Sequence, residues 1–194
     1  MSLKILLTGT TTSGKTTLIE GLKAKNLPGI VFIEEEARKF LEQNPGLERD
    51  PQLQDMLFTK QVTVEQEAVK RRPKIIVCDR GIPDNIAHAL LFGQAVKEEW
   101  KAWARTYDEI FLFNSADVSY QQPTELQQKI DSGRDWIKYR QDLDRCILLA
   151  LQECGLNYKL LNGNVEERLS TIEGVIKTYI TSIEGSYRLP RERK

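Results

Sequence analysis

A three-layer α/β/α fold, in which helices cover both faces of a five-stranded parallel sheet, is expected from three features of the sequence. Short apolar runs rich in β-branched residues recur along the chain, longer segments with helical spacing separate them, and the breaks between are brief. Runs of this length are too short for buried helices, and polar or turn residues bound them, so each reads as a strand covered on both sides. Alternation of strand and helix then dictates parallel pairing, because parallel neighbours need a crossover connection.

The strands follow in order: "LKILLT" at 3–8, "GIVFIE" at 29–34, "KIIVCD" at 74–79, "EIFLFN" at 109–114 and "YKLLN" at 158–162. A helix should follow the glycine-rich stretch after the first strand, and another should carry the segment after "EEEAR". A long polar helix holds Gln61 and Gln66, for which contact with substrate is an open alternative. Proline and an acid in a first turn, Pro83 and Asp84, mark the next helix start. Trp100 and Trp103, with Tyr107, have spacing that suits core packing, with stacking on a substrate base as the alternative. Ile137, Leu143, Ile147, Leu148 and Leu151 make one apolar helix stripe; Val165, Leu169, Ile172, Val175, Ile176 and Tyr179 make another. The breaks at "NLPG", "NPGLERDP" and "RGIPD" are too short to be hinges, so residues 1–194 are expected to form a single domain.

Composition narrows the partners. In 194 residues, 28 basic and 28 acidic side chains cancel, which argues against a nucleic-acid or membrane-surface binder. The basic end "YRLPRERK" reads as a solvated terminus. Cys78, Cys146 and Cys154 lack metal-ligand spacing and fit a reducing compartment. With no secretory or membrane-spanning segment, a soluble cytoplasmic protein is expected. Homo-oligomerisation is left open.

Between the first strand and its helix lies "GTTTSGKTT". Gly9, Gly14, Lys15 and Thr16 satisfy G-x-x-x-x-G-K-[ST] in the strand-to-helix context that gives the pattern its mechanism. Bare backbone at Gly9, Thr10, Thr11, Thr12, Ser13, Gly14, Lys15, Thr16 and Thr17 lets N–H groups surround phosphate oxygens, helped by the helix's positive end. Lys15 supplies a cation for the terminal phosphates of ATP, and the Thr16 hydroxyl suits Mg2+. Asp79 ends a buried strand, where it can hold the water shell of the metal; a turn or capping role is the plain alternative. Arg80 beside it can reach phosphate or substrate.

The remainder discriminates among nucleotide enzymes. No N-K-x-D motif of a switch GTPase is present, and the acidic pair that follows the third strand in motor and AAA-type ATPases is missing. Glu34, Glu35, Glu36 and Arg38 emerge at the carboxyl end of the second strand, where open α/β sheets bind ligands. A carboxylate there, Glu35 by preference, can take the proton of an attacking hydroxyl while Arg38 positions the acceptor. For Glu34 and Glu36 a helix-dipole role is equally open. Arg134, after a Ser-Gly pair, and Arg140 on the next helix suit a lid around 120–140 that stabilises the transferring group; surface ion pairing is the alternative for both, and Arg145 reads as structural. His88 reads as a packing or surface residue, and Asp84 as a helix start that could also touch substrate.

Taken together, "GTTTSGKTT", "EEEARKFLE", "KQVTVEQEAV", "VCDRGIPDNIAHA", "DSGRDWIKYRQ" and "YKLLNGNVEERL" resemble the P-loop kinase family that includes the nicotinamide riboside kinase domain, and the AAA-like ATP-binding proteins grouped with it. The resemblance implies a strand order of 2-3-1-4-5. It also places Glu35 and Arg38 at the acceptor, Asp79 at magnesium, Arg134 and Arg140 in the lid, and Asn162 and Gly163 near adenine. "DRG" departs from that kinase domain and is similar to a segment of deoxynucleoside kinases. The expected activity is transfer of the ATP γ-phosphoryl group to a nucleoside- or nucleotide-like acceptor; an acceptor-independent NTPase and a non-catalytic ATP-sensing module are the alternatives.

Overall fold

A computed structural model describes residues 2–11, 13–113 and 135–186 of the chain. Five strands, β1 (Leu3–Thr8), β2 (Ile30–Ile33), β3 (Ile75–Asp79), β4 (Glu109–Phe113) and β5 (Lys159–Leu161), form one parallel sheet in the order β2-β3-β1-β4-β5. Each expected strand is present, shortened by a residue or two at some ends. The helices are α1 (Lys15–Ala24), α2 (Glu36–Gln43), α3 (Leu53–Lys70), α4 (Ile82–Leu91), α5 (Glu98–Ala104), α6 (Trp136–Glu153) and α7 (Val165–Ser186).

Side chains alternate across each strand, so a buried strand feeds two cores at once. On β1, Ile5 and Leu7 face α1 and α7, where they pack with Leu18, Leu22, Phe111, Ile172 and Ile176. Leu6 faces the other way and joins Ile76, Cys78, Ile86, Trp100, Leu143 and Ile147, a core walled by α3 to α6. Trp100 and Tyr107 are therefore core residues, as helical spacing suggested. None of the described helices is long and apolar enough to cross a membrane.

The strand order positions the site. With β1 between β3 and β4, Leu7 pairs with Asp79, which sets the end of β3 beside the loop leaving β1. That loop carries the glycine motif. Phe111 is wholly buried under the same edge, so Phe111→Ala should lower unfolding free energy by about 3–5 kcal/mol through lost burial and a cavity. Urea denaturation followed by circular dichroism checks this; a loss below 1 kcal/mol would mean that the layer can collapse around the gap.

Candidate active site

The loop from β1 to α1 depends on glycine at two positions. Gly9 has φ +140°, and a Cβ there would meet the Phe113 carbonyl oxygen and Cβ at 3.1 Å; Gly14 has φ +90° as the residue preceding α1. Lys15 curls back over this loop. Its Nζ donates to the Gly9 carbonyl at 2.8 Å, the Thr10 carbonyl at 2.7 Å and Ser13 Oγ at 2.9 Å, leaving the residue 6% exposed. Burial, reinforced by the nearby Arg80 charge, holds its ammonium down to about 7. From α7, Arg168 donates to the Ser13 carbonyl at 3.0 Å and lies over the Phe113 ring. The start of α7 is itself fixed by a reciprocal cap, in which Asn164 Oδ1 accepts from Glu167 N and Glu167 Oε2 accepts from Asn164 N. Thr16 and Thr17 are exposed on the first turn of α1. Thr12 lies outside the described residues.

Asp79 and Arg80 leave β3 directly beside that loop. Asp79 is buried, and its Oδ1 accepts no hydrogen bond among the described residues. Burial raises its carboxyl above the ordinary value, with Lys15 and Arg80 opposing. Arg80 adopts φ +65°, an uncommon left-handed conformation for a residue with a side chain. Its Nη1 donates to the Gly9 carbonyl and to Asp84 Oδ1, each at 3.0 Å. Its Nε lies 2.9 Å from Glu35 Oε1, an ion pair that falls short of linear hydrogen-bond geometry. Asp84 also accepts from Thr8 Oγ1 and from the Gly81 amide, both at 3.0 Å. It is thus the capping residue expected at this helix start and also the partner of Arg80.

Glu35 is the residue before α2, and Arg38 completes its pairing through Nη2 at 3.0 Å. Burial pushes the Glu35 carboxyl up, but Arg80, Arg38 and Lys15 outweigh it and hold the group below its usual range. Its neighbours divide. Glu34 is exposed and bound to Lys23 and Lys39, while Glu36 turns inward and pairs with Lys39.

A cavity of about 190 Å³ opens between α2, α3, α4 and α6, and its wall includes Thr11 of the loop together with Glu35, Arg38, Arg80 and Asp84. His88 also lines it, half-buried with Nδ1 3.4 Å from the Tyr139 hydroxyl, so it is a wall residue rather than general packing. From α6 the wall takes Trp136 and Tyr139; Arg140 is half-buried alongside them but is not part of the lining. Arg134, with most of the expected lid, lies outside the described residues. Arg145 is exposed and paired with Asp142. Asn162 and Gly163 follow β5 as exposed residues.

Sequence reasoning missed Arg168, Gln54 and Asn85, and passed over Gln61. Arg168 leaves no local signal, since its loop partner is 155 residues away. Gln54 and Gln61 fall on one face of α3 with Leu57 at i, i+3 and i+7, a spacing that could have marked two amides as inward-facing.

A family model described as an AAA domain matches residues 4–168, and the chain belongs to that family. Its fold is that of P-loop nucleoside and nucleotide kinases. A deoxyadenosine kinase from M. mycoides, solved with dCMP and a flexible dCDP bound, superposes with a TM-score of 0.59 at 14% identity over 91% of this chain and 100% of that one. A thymidylate kinase from Candida albicans gives a TM-score of 0.65 at 14% identity over 91% of this chain and 92% of that one. No curated protein matches the chain.

Because Arg80 neutralises the buried Asp84 and the half-buried Glu35 carboxylates, Arg80→Met should destabilise the protein by about 3–5 kcal/mol. Adding Asp84→Asn should recover part of the loss. Thermal unfolding of the single and double variants checks this, and a double variant weaker than the sum of the singles would contradict it.

Proposed function

We propose that the protein is an ATP-dependent kinase acting on a small nucleoside- or nucleotide-like acceptor. The carrying observation is that one cavity shares Thr11, Glu35 and Arg80 with the phosphate-loop neighbourhood. A plain NTPase needs only a water molecule, which occupies far less space than this cavity. The two similar structures are of a nucleoside kinase and a nucleotide kinase, which supports the same acceptor class. The resemblance to the nicotinamide riboside kinase domain supports a nucleoside acceptor in particular. On this reading residues 1–194 work as one cytoplasmic domain, with Arg134 and Arg140 in a lid.

The residues present fit magnesium and a triphosphate. Thr10 Oγ1 and Asp79 Oδ1 are buried oxygens with no hydrogen-bond partner among the described residues, and apart from Lys15 the sequence from Gly9 to Thr16 carries only small side chains. Thr16, through its hydroxyl, and Asp79, through the metal's water shell, would be the residues that hold the ion. Magnesium-ATP supplies the phosphoryl group: the acceptor oxygen bonds to the γ-phosphorus, the bond to the bridging oxygen of ADP breaks, and the acceptor proton passes to Glu35. Lys15 and Arg80 place positive charge along the loop side of the cavity. Glu35 is deprotonated at neutral pH because its cations hold it low, so it can accept that proton without prior ionisation.

Incubating the protein with magnesium-ATP and a nucleoside and nucleotide panel should yield a product heavier by one phosphate. Lys15→Ala should abolish magnesium-ATP binding in calorimetry, and Glu35→Gln should cut kcat by about 10²–10⁴-fold with little change in the KM for ATP. ATP consumption indifferent to every acceptor would favour water as the nucleophile.

Phosphate charge beside Lys15 favours its protonated form, so ATP binding should take up protons near pH 7, where the free side chain is partly neutral. By linkage, affinity should fall as pH rises through 7. Calorimetry in two buffers of different ionisation heat measures the uptake; proton release on binding would contradict the assignment.

A further inference from the structure

We infer that the cavity selects nucleosides whose base carries an exocyclic amino group beside a hydrogen-bond acceptor, and that Gln61, oriented from behind by Glu65, makes that selection. This deepens the kinase reading and rests on it for the location of the acceptor.

Glu65 on α3 is 1% exposed, and four donors converge on its carboxylate. Lys4 Nζ and Trp103 Nε1 reach Oε2, each at 2.8 Å; Gln61 Nε2, also at 2.8 Å, and the Tyr107 hydroxyl reach Oε1. Ammonium and indole N–H groups can only donate, and two donors on each oxygen fill the carboxylate's accepting capacity. Tyr107 is held in turn by the Ile82 amide at the start of α4, so the cluster is tied to the backbone beside the site.

A glutamine amide can ordinarily turn over and offer either its oxygen or its nitrogen to a ligand. Gln61 cannot do so without setting its oxygen against the Glu65 carboxylate. Its nitrogen is therefore committed to Glu65, and the group left for the cavity, whose wall Gln61 forms, is the carbonyl oxygen. That oxygen has no hydrogen-bond partner among the described residues.

Two more amides line the same cavity with an unpaired buried atom each: Gln54 Oε1, on a residue 5% exposed, and Asn85 Nδ2, on a residue 7% exposed. Buried polar atoms are nearly always paired, so unpaired ones on a cavity wall point to a ligand that completes them. The Gln61 acceptor complements an amino group, and the Gln54 and Asn85 amides, each able to turn and offer oxygen or nitrogen, can complete that group's second hydrogen and the ring nitrogen or carboxamide oxygen beside it. Phe92 and Trp136 supply aromatic walls for a flat ring. A cavity of about 150 Å³ already takes a benzene ring, so about 190 Å³ admits a heterocycle. Adenine, cytosine and a nicotinamide-type carboxamide have this edge. Hypoxanthine and uracil place a carbonyl where the amino group would be, oxygen against oxygen at Gln61.

Calorimetric titration of the full chain with adenosine against inosine, and cytidine against uridine, tests this without requiring turnover. The amino member of each pair should bind at least about tenfold more tightly. Gln61→Leu should bring both ratios to within about twofold. Glu65→Gln, which frees the Gln61 amide to turn, should lower the ratios while leaving the Gln61 side chain in place; should that variant not fold, Gln61→Leu decides alone. Equal or reversed affinities in the wild type, ratios unmoved by Gln61→Leu, or no binding by any of the four nucleosides would overturn the inference. Product formation is scored separately. Amino-selective binding without phosphorylation would overturn the kinase reading and leave this one standing, whereas equal phosphorylation efficiency, in kcat/KM, for both members of a pair would do the reverse.

Discussion

The Arg80 guanidinium joins everything that makes this edge of the sheet a site. One side chain reaches the carbonyl of the first loop glycine, the carboxylate before α2 and the carboxylate in the first turn of α4. Those three groups come from three separate crossovers, and nothing in the sheet alone would bring them into register. An isolated guanidinium would not be stable at this depth, and neither would the buried Asp84 carboxylate; with the half-buried Glu35 beside them, each offsets the desolvation of the others. The left-handed backbone at Arg80 belongs to the same arrangement. It turns the chain sharply after β3, and the side-chain contacts hold a conformation that would otherwise cost about 1–2 kcal/mol.

The glycine after Arg80 is a second constraint of the same kind. A Cβ on Gly81 would sit 2.2 Å from the Tyr107 hydroxyl, so the ring of Tyr107 lies directly under the turn. That hydroxyl accepts from the Ile82 amide and donates to Glu65. The polar cluster under the sheet and the charged cluster on its edge thus meet at a single turn, with Gly81 small enough to let them. Tyr107 illustrates why a buried aromatic with a polar tip does more than fill space: its ring packs in the core while its hydroxyl must find partners.

Much of this was readable from sequence, for identifiable reasons. Strands buried on both faces appear as continuous apolar runs, and all five were found on that basis. The phosphate loop is legible because its chemistry is local: glycines, lysine and hydroxyl act at fixed offsets along a few residues. Glu35 and Asp79 were placed because a strand end is itself a position in the fold. Residues whose meaning depends on distant partners were not legible. Gln61 on a polar helix cannot be told from Gln66 as a substrate contact until Glu65 and the cavity are seen on either side of it. Arg168 looks like any helix-surface arginine until α7 is laid against the loop. The split among Glu34, Glu35 and Glu36 follows from the rotation of the chain entering α2, which no local pattern specifies.

Gly9 illustrates how these constraints could serve phosphate chemistry. Its carbonyl accepts from Lys15 and from Arg80 together, at 2.8 and 3.0 Å. Because the acceptor is shared, Lys15 can turn away toward a phosphate and leave the Gly9 carbonyl paired with Arg80, so that only its bonds to the Thr10 carbonyl and Ser13 Oγ must be replaced by those to the ligand. The Ser13 carbonyl is secured independently by Arg168, so both ends of the loop have anchors that do not involve Lys15. A loop whose shape is held by two arginines can therefore lend its lysine to a ligand and keep its amides in place. This division of labour between fixed and movable cations follows from where the three charges sit.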